Sequence, residues 1–422
     1  MKFSGNSLWI VWLLPALLAG ISIGLFFHSN PLTCHDNFTT GDKTLEENTE
    51  ILYKKGTNIR NGIPNVRNKL LNNEEIKIVY FGGSITFMDG WRNKTTKWLS
   101  DSYPNSKIIE FNSTVSGSGS FLGVYRLEDD VIKYSPDLVF IEFAVNDSID
   151  SYIKWSLKKN FLEIVERIKQ SVPKADIVFV YSIEKDMLNK YACGDFCDSV
   201  KVMEEVAEMY KIPSVNFGYR TALLWKDNLL RFDEQDKKSQ FLPLFSKDGV
   251  HPLPYGHEIY SGVMREFLEK VLNSKQNTDR ESVFSSPGST HKLVPVYSNY
   301  FLPSLNNLTL VHMPYGKDSV FSKTNTTAFV WTDQKLKVKA KGSIFGLALT
   351  LLPGKYEPLN IQIDDKKEIK KLTGFGSFSP RLFYCEFKVP NDDQFHEITI
   401  YKPDETPFNL IYLLTDGNIT SF

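Results

Sequence analysis

Cysteine is scarce in this 422-residue chain: Cys34, Cys193, Cys197 and Cys385 are all there is. That is compatible with an oxidising compartment without requiring one. It also excludes a zinc centre built on cysteine, because Cys193 and Cys197 have no two further ligands nearby. Charge of one sign is missing as well. Lysine and arginine number 49 against 50 acidic residues, a formal net charge of −1 with no long single-sign block. Nucleic acid is thereby excluded as the main partner, since such proteins carry a basic patch or stripe. No internal repeat and no lipase-like apolar lid is evident.

Long uncharged apolar runs are equally rare, and the exception is informative. Leu8–Phe27 is 20 residues without a charge, preceded by Lys2 and followed by Asp36 and Asp42. About 20 apolar residues span a bilayer core, whereas a signal-peptide core is usually ~7–15. We expect a transmembrane signal-anchor with a short cytoplasmic tail at residues 1–7. The chain is then a single-pass type II membrane protein of the ER or Golgi lumen or cell surface. Ser22 and Gly24 leave a cleaved signal, and hence secretion, as the alternative. Seven Asn-x-Ser/Thr sequons follow the run: Asn37, Asn93, Asn112, Asn146, Asn307, Asn325 and Asn418.

Beyond a polar stem at 28–72, the hydrophobic pattern alternates. Apolar runs at Ile76–Phe81, Ile108–Phe111, Leu138–Phe143, Ile177–Tyr181 and Ser214–Phe217 predict strands. Helical spacing appears between them: Phe161 to Ile168, Val200 to Tyr210 and Tyr255 to Leu272. Such alternation predicts a doubly wound parallel α/β sheet over 73–273. A turn-rich linker at 274–290 leads to short strand-like runs, which predict an antiparallel β-sandwich over 291–422. Its aromatics Trp331, Phe345, Tyr356, Phe375, Phe378 and Phe383 fit a core better than a sugar platform.

Chemistry-bearing residues fall at the predicted strand ends. Ile78-Val79-Tyr80-Phe81 stops at Gly82-Gly83-Ser84, where a sharp turn presents a hydroxyl at the sheet edge, the usual place for ligands in open α/β sheets. A serine nucleophile needs a base and a group to orient it. Asp248-Gly249-Val250-His251 supplies both from one short segment. His257 is a rival base inside a predicted helix. Oxyanion donors are available after the next two strands: Gly117 or Gly119 in the loop after Asn112, and the Asn146 amide after Phe143.

Gly82-Gly83-Ser84-Ile85-Thr86, Gly117, Ala144-Val145-Asn146-Asp147 and Asp248-Gly249-Val250-His251-Pro252 together resemble, in order, the four blocks of the SGNH (GDSL-type) hydrolases. The resemblance spans about residues 75–272 and implies a flavodoxin-like sheet and serine-dependent ester hydrolysis without a cofactor. It implies Ser84 as nucleophile, His251 as base and Asp248 as its orienting acid. The oxyanion donors it implies are Gly117, Asn146 and the Ser84 N–H. Gly83 stands where the name-giving pattern has aspartate. Gly-x-Ser-x-Gly, the α/β-hydrolase elbow, is only half met, because Thr86 replaces its second glycine.

The resulting expectation is an esterase removing O-acyl groups, chiefly acetyl, from glycans. Acyl transfer to a glycan by the same site, and a degenerate membrane-tethered binding protein, are the alternatives. An oxyanion donor cannot carry a glycan, so Asn146 is expected unmodified, leaving Asn37, Asn93, Asn112, Asn307, Asn325 and Asn418. Cys193 and Cys197 are the candidate disulfide, with two free thiols as the alternative, and the sequence does not decide whether Cys34 and Cys385 pair.

Overall fold

A computed structural model describes residues 56–149, 154–273, 292–295, 308–311, 328–331, 335–351, 358–370, 381–402 and 408–420. The apolar run Leu8–Phe27, Cys34, the linker 274–290 and the sequons Asn37, Asn307 and Asn325 lie outside these residues. Among the described residues no helix is long and apolar enough to cross a membrane.

The first domain runs β1 (Thr57–Asn58), α1 (Pro64–Leu71), β2 (Ile76–Gly82), α2 (Ser84–Phe87), α3 (Trp91–Ser102), β3 (Ile108–Thr114) and α4 (Ser120–Asp130). It continues with β4 (Leu138–Glu142), α5 (Ala144–Ile149), α6 (Lys154–Ser171), β5 (Asp176–Tyr181), α7 (Leu188–Ala192) and α8 (Asp198–Tyr210). β6 (Ser214–Asn216), α9 (Phe217–Lys226) and α10 (Pro254–Asn273) complete it. The sheet order is β1-β6-β5-β4-β2-β3, parallel throughout except for β1. Without β1 this is the flavodoxin-like order. The central strands β2, β4 and β5 read as unbroken apolar runs because helices cover both faces, and Ile78 to Phe81, Leu138 to Ile141 and Ile177 to Tyr181 are buried.

The stem expected to extend to residue 72 ends earlier. From Gly56 on, the chain belongs to this domain: Ile63, Val66 and Leu70 join the core, and β1 pairs with β6. Arg60 fastens the segment, its guanidinium reaching Glu204 at 2.7 Å, Glu208 at 3.1 Å and the Ile212 carbonyl at 2.8 Å. The polar composition of 56–72 conceals these contacts because one buried arginine and three apolar residues carry them.

The second domain consists of β7 (Lys292–Pro295), β8 (Leu308–Val311), β9 (Ala328–Trp331), β10 (Lys335–Lys341), β11 (Ile344–Leu351), β12 (Leu359–Ile363), β13 (Lys366–Lys370), β14 (Arg381–Lys388), β15 (His396–Tyr401), β16 (Phe408–Thr415) and β17 (Asn418–Thr420). They form two sheets, β13-β12-β15-β10-β17 and β14-β11-β16-β9-β8, with β7 also on β16, all antiparallel. Leu336, Val338, Ile361, Ile398 and Ile400 of one sheet meet Leu347, Leu349, Leu410 and Leu413 of the other. β10 alternates exposed or half-buried lysines with buried apolar residues, as expected for a sheet with one wet face. β13 escapes hydrophobic pattern reading because it is an edge strand of sequence Lys-Lys-Glu-Ile-Lys, charged as edge strands are. Phe345 lies in the core; the side chains of the other five aromatics named above are outside the described residues.

The candidate Cys193–Cys197 disulfide does not form, and Cys385 is not paired with Cys34. Cys193 is disulfide-bonded, but Cys197 and Cys385 are free thiols. Cys197 is buried at the start of α8, its sulfur 3.2 Å from Ser199 Oγ, and Cys385 packs against the sandwich core. Short sequence separation suggested a loop closure; the helix that begins at Asp198 turns Cys197 inward instead.

Candidate active site

The four segments singled out from the sequence meet at the carboxyl edge of the parallel sheet, between β2 and β4. In this strand order that is the topological switch point, where loops leave the sheet in opposite directions and open a crevice. Ser84 opens α2 directly after Gly83, and its hydroxyl lies 2.8 Å from His251 Nε2. His251 Nδ1 lies 2.6 Å from Asp248 Oδ2. An ionised carboxylate only accepts, so Nδ1 carries the proton and Nε2 is left to accept from the serine.

Asp248 is held by its own loop. Its Oδ1 accepts from the backbone N–H groups of Val250 (2.9 Å) and His251 (2.8 Å) and from Ser246 Oγ (2.9 Å). Burial opposes its charge, but the hydrogen bonds from the His251 side chain and from the two backbone N–H groups outweigh it. They hold the carboxyl far below the usual range. Asp248 is therefore ionised at neutral pH. Gly249, at φ +81°, makes this tight loop possible, and its carbonyl accepts from Lys185 N–H at 2.8 Å. The relay faces solvent: the His251 and Asp248 side chains are 39% and 55% exposed.

Asn146 lies in the first turn of α5 rather than in a loop, and is half-buried. A Cβ at residue 83 would lie 2.2 Å from Asn146 Oδ1 and 3.4 Å from the Ser118 carbonyl. Glycine at 83, where the related pattern has aspartate, is thus what lets Asn146 and the glycine loop close on the Ser84 turn. Gly117 adopts φ +74° in that loop, whose ends are tied by Val115 N–H to the Gly82 carbonyl (3.1 Å) and Ser118 N–H to the Val115 carbonyl (3.0 Å). Gly119 caps α4 with φ −96°.

His257 is not part of the relay. It is buried against α3, accepts from Trp91 N–H at 3.3 Å through Nδ1, and would collide with any side chain at Gly90. Burial, aided by Lys94 and His251, pushes its pKa down to about 4, so it stays neutral.

Sequence reasoning missed the residues that hold the Ser84 turn from beneath. Arg126 of α4 is buried and donates to the carbonyls of Gly82 (3.1 Å) and Ser113 (2.7 Å), with its guanidinium 4.2 Å over the Phe81 ring. Glu142, fully buried at the end of β4, accepts from Thr86 Oγ1 at 2.8 Å and Ser182 Oγ at 2.5 Å. Desolvation raises its pKa, offset in part by those two hydrogen bonds. Only a buried arginine or glutamate in an apolar context could have flagged them.

Among the sequons, Asn112 and Asn418 are exposed on strands β3 and β17. Asn93 is engaged instead: its Oδ1 accepts from Gly90 N–H at 3.0 Å and its Nδ2 donates to Asp89 at 2.9 Å, capping α3. Among the described residues no group of three or more histidine, cysteine or acidic side chains could hold a metal.

Residues 80–259 match the model of the GDSL-like lipase/acylhydrolase family. No match was found among curated proteins. Among solved structures, a two-domain esterase (CEX) active on acetylated mannans, co-crystallised with mannopentaose, aligns over 87% of this chain and 98% of its own. Its TM-score is 0.66 at 16% identity. The same esterase without that ligand gives 0.67 at 15%, over the same shares. A catalytic mutant of Axe2, an acetylxylan esterase from Geobacillus stearothermophilus, aligns over 49% of this chain and 97% of its own, at 20% identity and TM-score 0.36. At such identities the CEX likeness establishes a shared two-domain fold. Together with the family match, the Ser84–His251–Asp248 geometry identifies residues 80–259 as a GDSL-like lipase/acylhydrolase domain, a carboxylic ester hydrolase by type.

Proposed function

We propose that this protein removes O-acetyl groups from glycans by two-step hydrolysis. The observation that carries the chemistry is the continuous relay Asp248–His251–Ser84, at 2.6 and 2.8 Å. His251 Nε2 takes the hydroxyl proton as Ser84 Oγ attacks the ester carbonyl. Backbone N–H groups of Ser84 and Gly117 and the Asn146 amide hold the oxyanion, usually the largest single contribution to such catalysis. The protonated His251 passes its proton to the leaving sugar oxygen, and Asp248 stabilises the imidazolium meanwhile. Water then attacks the acetyl-enzyme with His251 as base, releasing acetate.

Three observations favour a glycan as the leaving group. The relay is solvent-facing, as cleavage of a short acyl group from a large polymer needs. A sandwich domain accompanies the hydrolase domain, as in a solved structure described as an esterase active on acetylated mannans. The disulfide at Cys193 and the exposed sequons at Asn112 and Asn418 suit an oxidising, glycosylating compartment. We place the catalytic portion in the secretory lumen or at the cell surface, tethered by the Leu8–Phe27 segment.

Acetate release by the full-length chain from acetylated mannan, acetylated xylan and p-nitrophenyl acetate tests this reading. Ser84→Ala should abolish release and fluorophosphonate labelling alike. Labelling that survives in the variant would overturn Ser84 as nucleophile. Activity on p-nitrophenyl acetate alone, with no acetylated polysaccharide turned over, would overturn the glycan assignment.

A further inference from the structure

The loop that carries Gly117 is gripped from outside the hydrolase domain. Val115, its first residue, packs into a small cluster that joins the two domains: Phe121, Leu122 and Tyr125 of α4 with Ala348 and Leu414 of the sandwich. Gly119, at the other end of the loop, lies close to two side chains. One is Asp147: a Cβ at 119 would lie 2.2 Å from its Oδ1, which also accepts from Ser120 N–H at 2.8 Å. The other, 3.4 Å from the same Cβ position, is the hydroxyl of Tyr384 from β14 of the sandwich.

Tyr384 is held there firmly. Its ring stacks on Phe121 with centroids 5.0 Å apart and planes 6° from parallel. Two residues along the same strand, Glu386 accepts from the Tyr125 hydroxyl at 2.8 Å. Alternation along β14 puts Tyr384 and Glu386 on one face, and helical spacing puts Phe121 and Tyr125 on one stripe of α4. The two surfaces therefore meet in one register. From Tyr384 the contacts lead through Gly119 and Ser118 to Gly83, next to the nucleophile.

We propose that the sandwich is a working part of the active site, with Tyr384 as a positioning residue that sets the conformation of the Gly117 oxyanion loop. This rests on the serine-hydrolase reading above. A loop with a glycine at φ +74° has alternative conformations available, and covering both of its ends from a second domain removes them. The catalytic consequence is preorganisation of an oxyanion donor rather than binding of the sugar.

The prediction separates this role from carbohydrate capture. p-Nitrophenyl acetate has no sugar to capture, so a pure binding module would leave its turnover unchanged. In the full-length chain, Tyr384→Ala should lower kcat on p-nitrophenyl acetate and the rate of fluorophosphonate labelling by about tenfold, with KM within about twofold, the scale of a small misplacement of catalytic groups. Tyr125→Phe, which removes the hydrogen bond to Glu386 but leaves Tyr384 stacked on Phe121, should lower Tm and cost kcat no more than about twofold. Folded Tyr384→Ala with wild-type kcat and labelling overturns the proposal, as does a kcat loss in Tyr125→Phe equal to that in Tyr384→Ala. Should Tyr384→Ala not fold, Tyr384→Phe decides: it keeps the stack on Phe121, and wild-type labelling there overturns the role of the hydroxyl. Ser84→Ala run in parallel keeps the two readings apart, because labelling that survives in it defeats the serine-hydrolase reading itself.

Discussion

Two of the described histidines sit beside aspartates at nearly the same distance, and of these one is arranged as a base. His251 has Asp248 at 2.6 Å on Nδ1 and Ser84 at 2.8 Å on Nε2. His396, in the sandwich, has Asp364 at 2.7 Å on Nδ1 and Asp392 at 2.9 Å on Nε2. Both nitrogens of His396 face acceptors, so the ring is wanted as a cation that donates twice. Hydrogen bonds to Asp364 and Asp392 raise its pKa above the ordinary value. One carboxylate makes a histidine an oriented base; two make it a clasp. His257, with burial in place of a carboxylate, is the third case and stays neutral.

The largest effects are expected from dismantling the relay around His251, and far smaller ones from removing the clasp around His396. Ser84→Ala or His251→Ala should cost on the order of 10⁶ in kcat, the scale of losing a unit of a catalytic triad. Asp248→Asn leaves the ring its neighbour but not its tautomer, and a loss of about 10⁴ is expected. Both are read from acetate release by protein of unchanged Tm. His396→Ala should leave kcat within about twofold while lowering Tm, since in the sandwich the pair contributes only stability.

Asn146→Ala should reduce kcat by ~10²–10³, the usual effect of deleting one oxyanion donor. Gly83→Asp restores the residue of the name-giving pattern, yet should damage this protein. Its Cβ would displace Asn146, with a loss on the order of tenfold to a hundredfold, as small misplacements of catalytic groups produce. Wild-type kcat in Gly83→Asp would show that Asn146 has room to shift.

The smallest effect concerns pH. A group whose pKa is raised by folding, as for His396, contributes stability in full below its unfolded pKa of about 6.5 and loses it as pH rises through the folded value. Asp392, held below its ordinary value chiefly by the His396 hydrogen bond, adds stability that is lost as pH falls through its own lowered pKa. Melting followed from mildly acidic to alkaline pH should show the sandwich weakening on the alkaline side in the wild type. The slope should be smaller in His396→Ala.

Much of the hydrolase domain was legible because burial on both faces leaves a period-free apolar run. Ile76–Phe81, Leu138–Phe143 and Ile177–Tyr181 announced β2, β4 and β5 within a residue or so. The site residues were legible for a related reason: turn chemistry at strand ends is written in glycine, serine, asparagine and aspartate. What escaped were contacts made by single residues far apart in sequence. Arg60, Arg126 and Glu142 look like surface charges until the fold buries them. The Cys193–Cys197 pairing failed for the same reason, since spacing says nothing of which way a helix turns its first residue.

Hydrophobic periodicity and short-range turn chemistry, both local properties of the chain, thus set the alternating α/β pattern and the sandwich, and the resemblance of four short blocks pointed to the serine, histidine and aspartate of the relay. Packing set Asp248 against His251 and Asp364 and Asp392 against His396, left no room for a side chain at Gly83, and brought Tyr384 of another domain to the Gly117 loop. Those outcomes depend on distances between residues up to hundreds of positions apart, which are set by how layers pack and leave no trace in local pattern.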